Sequence, residues 1–164
     1  MEVVAILLRW MHVFAGMTLV GGLLYQRLAL LPAACELADP QRAEFLNGAR
    51  RRWSKLVMIA VLFLLVSGLV NLFLTIKTFK PLLEDQQLPG LYLQLFLVKF
   101  VLALVIFFFA SALAGRGAAT QRFRDEARRW LTITLILAVI LVAISNVMRS
   151  MHTGPNVKAV IGNQ

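Results

Sequence analysis

The stretch that decides the fold is LYLQLFLVKFVLALVIFFFASALA, residues 91–114, in which Lys99 is the only charged side chain. A transmembrane helix needs about 20 consecutive, predominantly apolar residues, because the hydrocarbon core of a bilayer is about 30 Å thick. Each helical residue adds about 1.5 Å, so this stretch is long enough to cross the core. It therefore predicts a membrane-spanning helix.

Three more apolar stretches lie at about 3–31, 56–76 and 131–148. Registers near 3–25 and near 10–31 both fit the first of them, and Pro32 limits the second register. The chain is 60% apolar and 15% charged, whereas soluble domains are nearer half apolar and a quarter charged. We therefore predict an all-α integral membrane protein. It would be an antiparallel bundle of four transmembrane helices in a single domain, residues 1–164, with a flexible tail at 153–164.

The net charge of +9 comes largely from two basic segments between the apolar stretches, 27–55 and 115–130. Positive charge concentrates in the cytoplasmic loops of membrane proteins. We therefore expect both segments in the cytoplasm and both termini on the outer, periplasmic side of a bacterial-type inner membrane. Contact with anionic lipid headgroups accounts for these residues. A lipid bilayer is thus the expected partner, and a nucleic acid is not.

Little in the sequence points to catalysis. All eight acidic residues lie outside the apolar stretches or at their edges, which excludes paired-carboxylate chemistry inside the membrane. No glycine-rich phosphate loop, nucleophile motif or cysteine-pair zinc pattern is present, so no catalytic residue is identified and the sequence leans against an enzyme. The polar groups that remain are all placed in the outer half of the predicted bundle: His12, Lys99, Ser67, Asn71, Ser145 and Asn146, with Arg149 and His152 at the rim.

Methionine and histidine occur together in this outer half. Met11 adjoins His12, Met148 lies one helical turn before His152, and Met151 precedes it. Thioether and imidazole ligands suit Cu(I). The pattern predicts a copper site of these five residues, reached by a passage that Ser67, Asn71, Ser145 and Asn146 line. Each residue also has a purely structural interpretation, since methionine packs well in any bundle, asparagine and histidine hydrogen-bond between helices, and Lys99 can extend towards the headgroups.

The chain resembles the CopD-type copper-resistance membrane domains in five segments: residues 8–16 (LRWMHVFAG), 20–23 (VGGL), 52–56 (RWSKL), 66–69 (VSGL) and 97–100 (LVKF). This resemblance implies copper handling in the outer half of the inner membrane, with a periplasmic copper protein as partner. The chain is also similar to the distantly related HemJ-type protoporphyrinogen oxidases, in His12, in Gly22-Leu23-Leu24-Tyr25 and in Lys99. That similarity implies a haem-dependent oxidoreductase that binds haem through His12 and requires Lys99.

Three hypotheses therefore stand. The first is a CopD-like protein that binds or moves copper at His12. The second is a haem b protein in which His12 is the axial ligand and Lys99 or Arg149 pairs with the propionates. The third is a non-catalytic subunit of a membrane complex, in which the polar residues only hold helices together. Assembly as a homo-oligomer stays open in all three.

Overall fold

Helices make up almost all of the part of the chain that the computed structural model describes, residues 2–84, 90–115 and 117–152. A π-helical turn, Gln26–Leu30, follows the first helix, and a 3-10 turn, Ala118–Thr120, precedes the fifth. The predicted flexible tail at 153–164 lies outside the described residues. The α-helices are α1 (Glu2–Tyr25), α2 (Leu31–Cys35), α3 (Asp39–Glu84), α4 (Gly90–Ala114), α5 (Gln121–Asp125) and α6 (Ala127–His152).

The described residues confirm the prediction of an all-α membrane protein. They contain no β-strand, and four of their helical segments are long and apolar enough to cross a membrane. Large apolar side chains such as Met58, Phe108 and Val139 remain 59–71% exposed on these helices, as contact with lipid requires. The four segments are Ile6–Cys35, Asp39–Phe73, Gln94–Ala114 and Ala127–Met148.

Pro32 does not end the first span. The helix continues from α1 through the π-helical turn into α2, where Pro32 occupies the first turn. Proline lacks an N–H group and so interrupts a regular α-helical ladder. The wider π-turn accommodates this interruption: the Leu31 N–H donates to the Gln26 carbonyl, five residues earlier. The two registers expected for this segment are therefore parts of one helical span that reaches Cys35.

The second span is much longer than the apolar stretch 56–76 that predicted it. α3 has 46 residues and begins at Asp39, inside the segment expected to be a connecting loop. Its length is about 69 Å, about twice the thickness of the hydrocarbon core. Pro40 suits the first turn of a helix, and Asp39 there interacts favourably with the helix dipole. The basic residues of this segment therefore lie on a continuation of the membrane helix.

The four spans pack in a ring in which α1 contacts α3 and α6, while α4 contacts the same two helices from the opposite corner. Residues later in α1 contact residues earlier in α3, so these two helices are antiparallel. Leu19, Leu23, Val57 and Leu131 are nearly fully buried between the helices. A second packed cluster is aromatic and joins α4, α5 and α6: Phe108, Phe109, Phe123 and Trp130, with ring centroids 4.9–5.9 Å apart.

Both basic segments lie at one end of this bundle. The Arg27 guanidinium on the π-helical turn donates to the Thr132 hydroxyl on α6 over 2.9 Å. Arg50 of α3 is close enough to Arg124 and Asp125 of α5 for their charges to act on it. We call this end of the bundle the basic end.

Candidate functional site

His12 and Ser67 form the polar contact at the centre of the candidate site. The Nδ1 atom of His12 on α1 lies 2.7 Å from the Ser67 hydroxyl oxygen on α3. Ser67 is completely buried and the His12 ring is partly buried. The ring lies beside Gly68, where an added Cβ would come within 3.8 Å of Cε1. The tight approach of α1 and α3 thus encloses one side of the imidazole.

The hydrogen bonds around Ser67 favour the His12 tautomer that carries its proton on Nδ1. The Ser67 hydroxyl has one proton, which it donates to the Phe63 carbonyl at 2.5 Å. The hydroxyl oxygen therefore accepts its second bond from the His12 Nδ1–H. In the neutral imidazole this leaves a lone pair on Nε2, which has no hydrogen bond within the described residues. A histidine held in this way through its other nitrogen is the usual form of a metal ligand.

Lys99 of α4 reaches the same region from the opposite corner of the bundle. It is partly buried, and it lies near enough to the His12 ring for a charge on its amine to act there. Within the described residues its side chain forms no ion pair, since the ion pair found there joins Arg129 to Glu126. A cation at Nε2 would be repelled by an ionised Lys99, whereas an anionic group would be attracted.

The other predicted site residues form no hydrogen bond with His12 within the described part of the chain. Met148 of α6 is 6% exposed, and Met11 and Asn71 are partly buried. The Ser145 hydroxyl donates to the Leu141 carbonyl of its own helix over 2.7 Å, while Asn146 is exposed. Arg149, Met151 and His152 belong to the last turns of α6, and the positions of their side chains lie outside the described part of the structure.

The described residues contain no group of three or more histidine, cysteine or acidic side chains that could hold a metal ion. The free Cys35 lies near the basic end, after the π-helical turn, and is exposed. Methionine is the other soft donor that the predicted site contains. Cu(I) accepts this combination of imidazole and thioether.

Sequence reasoning placed Ser67 on the wall of a passage and did not pair it with His12. The pairing depends on how α1 and α3 align, which no local pattern reveals. One signal was available in the sequence, because Ala15-Gly16 follows His12 and Gly68 follows Ser67. Small residues at both positions allow two membrane helices to approach closely.

Comparison with known proteins finds one family. The family model CopD: Copper resistance protein D matches residues 47–148, which is more than half of the chain. The match includes Ser67 and Lys99, whereas His12 lies before it. No curated protein and no solved structure matches the chain.

Proposed function

Since this chain belongs to the CopD family of copper resistance membrane proteins, we propose that its cargo is copper, bound by His12 in the half of the membrane away from the basic end. The observation that carries the proposal is the His12–Ser67 hydrogen bond of 2.7 Å, which leaves Nε2 with its lone pair. Ser67 lies within the residues that match the family model. It would orient His12, which lies before them.

Methionines are the further ligands that we propose, with Met148 as the first. Arg27 and Thr132 are in contact, which sets α1 and α6 at the same level there. His12 is 15 residues before Arg27, or about 22 Å, and Met148 is 16 residues after Thr132, or about 24 Å. With α6 running opposite to α1, Met148 comes level with His12. Met11, Met151 and His152 would extend the site towards the outer rim.

A copper ion bound at His12 requires that Lys99 does not repel it. We propose that Lys99 is either neutral or extended towards the headgroups when copper is bound, because an ammonium group beside the metal would repel it. The polar side chains of Asn71, Ser145 and Asn146 would serve as the route between His12 and the outer surface.

The sidedness of the membrane follows from the charges. Both basic segments lie at one end of the bundle, and positive charge favours the cytoplasm. We therefore propose that the basic end is cytoplasmic in a bacterial-type inner membrane. The first residues of α1 and the last of α6 would then face the periplasm. A periplasmic copper protein is the partner that this arrangement suits.

The test is a Cu(I) competition titration of the purified protein in mild detergent, against a chromophoric chelator. Wild type should bind Cu(I), and His12→Ala should abolish binding. Ser67→Ala should weaken binding by about 10–100-fold, as loss of a group that orients a metal ligand does. Ser54→Ala is the matched control: it lies on the same helix at the basic end, where its hydroxyl donates to the Arg51 carbonyl.

Equal affinity for His12→Ala and wild type would overturn the proposal. So would equal losses for Ser67→Ala and Ser54→Ala. The absorption spectrum of the same preparation is the second readout. A Soret band that disappears in His12→Ala would assign this histidine to haem iron and would overturn the copper proposal as well.

A further inference from the structure

A groove of about 510 Å³ opens at the basic end, far from His12, where the end of α1 and the π-helical turn face α3. We call it the basic-end groove and define it by Gln26, Leu30, Phe45, Arg50, Arg52 and Trp53. It lies where α3 passes from its apolar half into its basic half. A ligand in this groove would therefore be in contact with both the membrane and its surface.

One buried hydrogen-bond donor in the groove has no partner, and two guanidinium groups lie on the same wall, of which Arg50 is half-buried within reach of the Asp125 charge and Arg52 is exposed. The Trp53 indole N–H is buried and makes no hydrogen bond. Arg50 and Arg52 form no ion pair or hydrogen bond within the described part of the chain. A buried donor without a partner is unfavourable, so a group such as the Trp53 N–H usually has a ligand or water. Glu44 is the acidic residue on the wall, and it is exposed.

Apart from Gln26 and Tyr25, the rest of the wall is apolar. Phe45 is 44% exposed and Leu56 is 49% exposed, and Leu30 lies across the groove from α3 on the π-helical turn. Gly22 also lines the groove, where the Trp53 ring packs directly against it. Guanidinium and indole donors next to apolar side chains match a ligand with an anionic head and a hydrocarbon tail.

We propose that the basic-end groove is a binding site for an anionic phospholipid. Its phosphate would accept hydrogen bonds from Arg50, Arg52 and the Trp53 indole, and an acyl chain would lie along Leu30 and Leu56. Arginine is well suited to this role, because its planar fork binds phosphate oxygens in pairs. The site is independent of copper and remains valid if His12 binds another ligand.

Trp53 lies in the groove and can report on the lipid beside it. In Trp10→Phe/Trp130→Phe it is the remaining tryptophan of the sequence. This protein would be reconstituted into phosphatidylcholine vesicles that contain a fixed fraction of brominated phosphatidylglycerol or of brominated phosphatidylcholine. Bromine quenches only nearby tryptophan. The extent of Trp53 quenching by each brominated lipid at the same fraction therefore gives the relative affinity of the groove for the anionic lipid. Circular dichroism checks that each variant is folded.

We expect clear preference for phosphatidylglycerol. Arg50→Gln and Arg52→Gln should each lower it by about fivefold, since each removes a direct charge-assisted hydrogen bond to the phosphate that arginines outside the groove do not make. Arg50→Lys/Arg52→Lys should keep most of it, and Glu44→Gln should raise it. The matched control is Arg51→Gln/Arg128→Gln, which removes two exposed charges outside the groove and should leave the preference nearly unchanged.

Equal quenching by the two brominated lipids would overturn the proposal, as would equal losses in Arg50→Gln/Arg52→Gln and in the control. A soluble source of phosphate is tested by adding glycerol phosphate to vesicles of phosphatidylcholine. If this compound changes Trp53 fluorescence and blocks quenching by brominated phosphatidylglycerol, the groove binds a soluble phosphate and the lipid assignment is wrong.

Discussion

Gly22→Ala tests the packing of α1 against α3 at one defined point. An alanine Cβ at this position would lie well under 3.0 Å from three carbons of the Trp53 ring, which real Cβ atoms do not approach. The ring is rigid and cannot retract as a flexible side chain would, so Trp53 must move as a whole. Gly21 is the matched control, because an added Cβ there meets nothing within 4 Å.

Two opposing effects determine how much each substitution changes the free energy of unfolding. Alanine is more favourable than glycine inside a helix by about 0.5–1 kcal/mol, and both variants gain this term. Overpacking of a well-packed contact costs about 1–3 kcal/mol, and only Gly22→Ala incurs it. We therefore expect Gly22→Ala to be about 1–3 kcal/mol less stable than Gly21→Ala, which should itself be slightly more stable than wild type.

The free energy of unfolding can be measured in mixed micelles by titration with dodecyl sulfate, followed by circular dichroism. Repeating both substitutions in a Trp53→Leu background completes a double-mutant cycle. Without the indole ring, Gly22→Ala should lose its penalty and behave as Gly21→Ala does. Equal stabilities of Gly22→Ala and Gly21→Ala in the wild-type background would refute the reasoning, because the ring contact would then contribute nothing.

Three further predictions concern charge, the turn before α5 and sidedness. Lys99→Met should raise Cu(I) affinity by up to about tenfold, since copper binding would no longer have to neutralise or displace the amine; unchanged affinity in the chelator titration would show that the amine does not oppose the metal. Arg124→Gln removes bonds to the Gly115 and Gly117 carbonyls and should speed amide exchange in residues 117–120 by about tenfold or more, whereas Arg122→Gln, which is exposed, should not. Cys35 should resist a membrane-impermeant maleimide in spheroplasts and react after permeabilisation; labelling in intact spheroplasts would reverse the proposed sidedness.

The four spans could be predicted from the sequence because apolar length alone determines whether a helix can cross a bilayer. Their ends could not, and α3 shows why. Polarity indicates where a helix leaves the membrane, but it does not indicate where the helix itself ends. Residues 39–55 remain helical because they contain no proline after Pro40 to interrupt them. Pro32 is the converse case, since the π-helical turn before it allows the helix to continue.

Individual residues of the candidate site could be predicted from the sequence, but the contacts between them could not. His12 and Lys99 attract attention because polar groups are rare within apolar stretches. The bond from His12 to Ser67 joins residues 55 positions apart. It depends on how α1 and α3 are aligned along their axes. Small residues allow the two helices to approach closely, but they do not determine that alignment. The basic-end groove was missed for a similar reason, because its walls come from the π-helical turn and from the part of α3 that precedes the predicted second span.

The uninterrupted course of α3 has a mechanical consequence. Between Trp53 and Ser67 the helix contains neither glycine nor proline, and sharp bends in helices occur mainly at such residues or at π-turns. This part of α3 is therefore stiff, whereas the neighbouring span can bend at the π-helical turn that follows α1. We therefore expect a displacement of α3 at Trp53 to be transmitted along the helix to Ser67 and to the imidazole that is hydrogen-bonded to it.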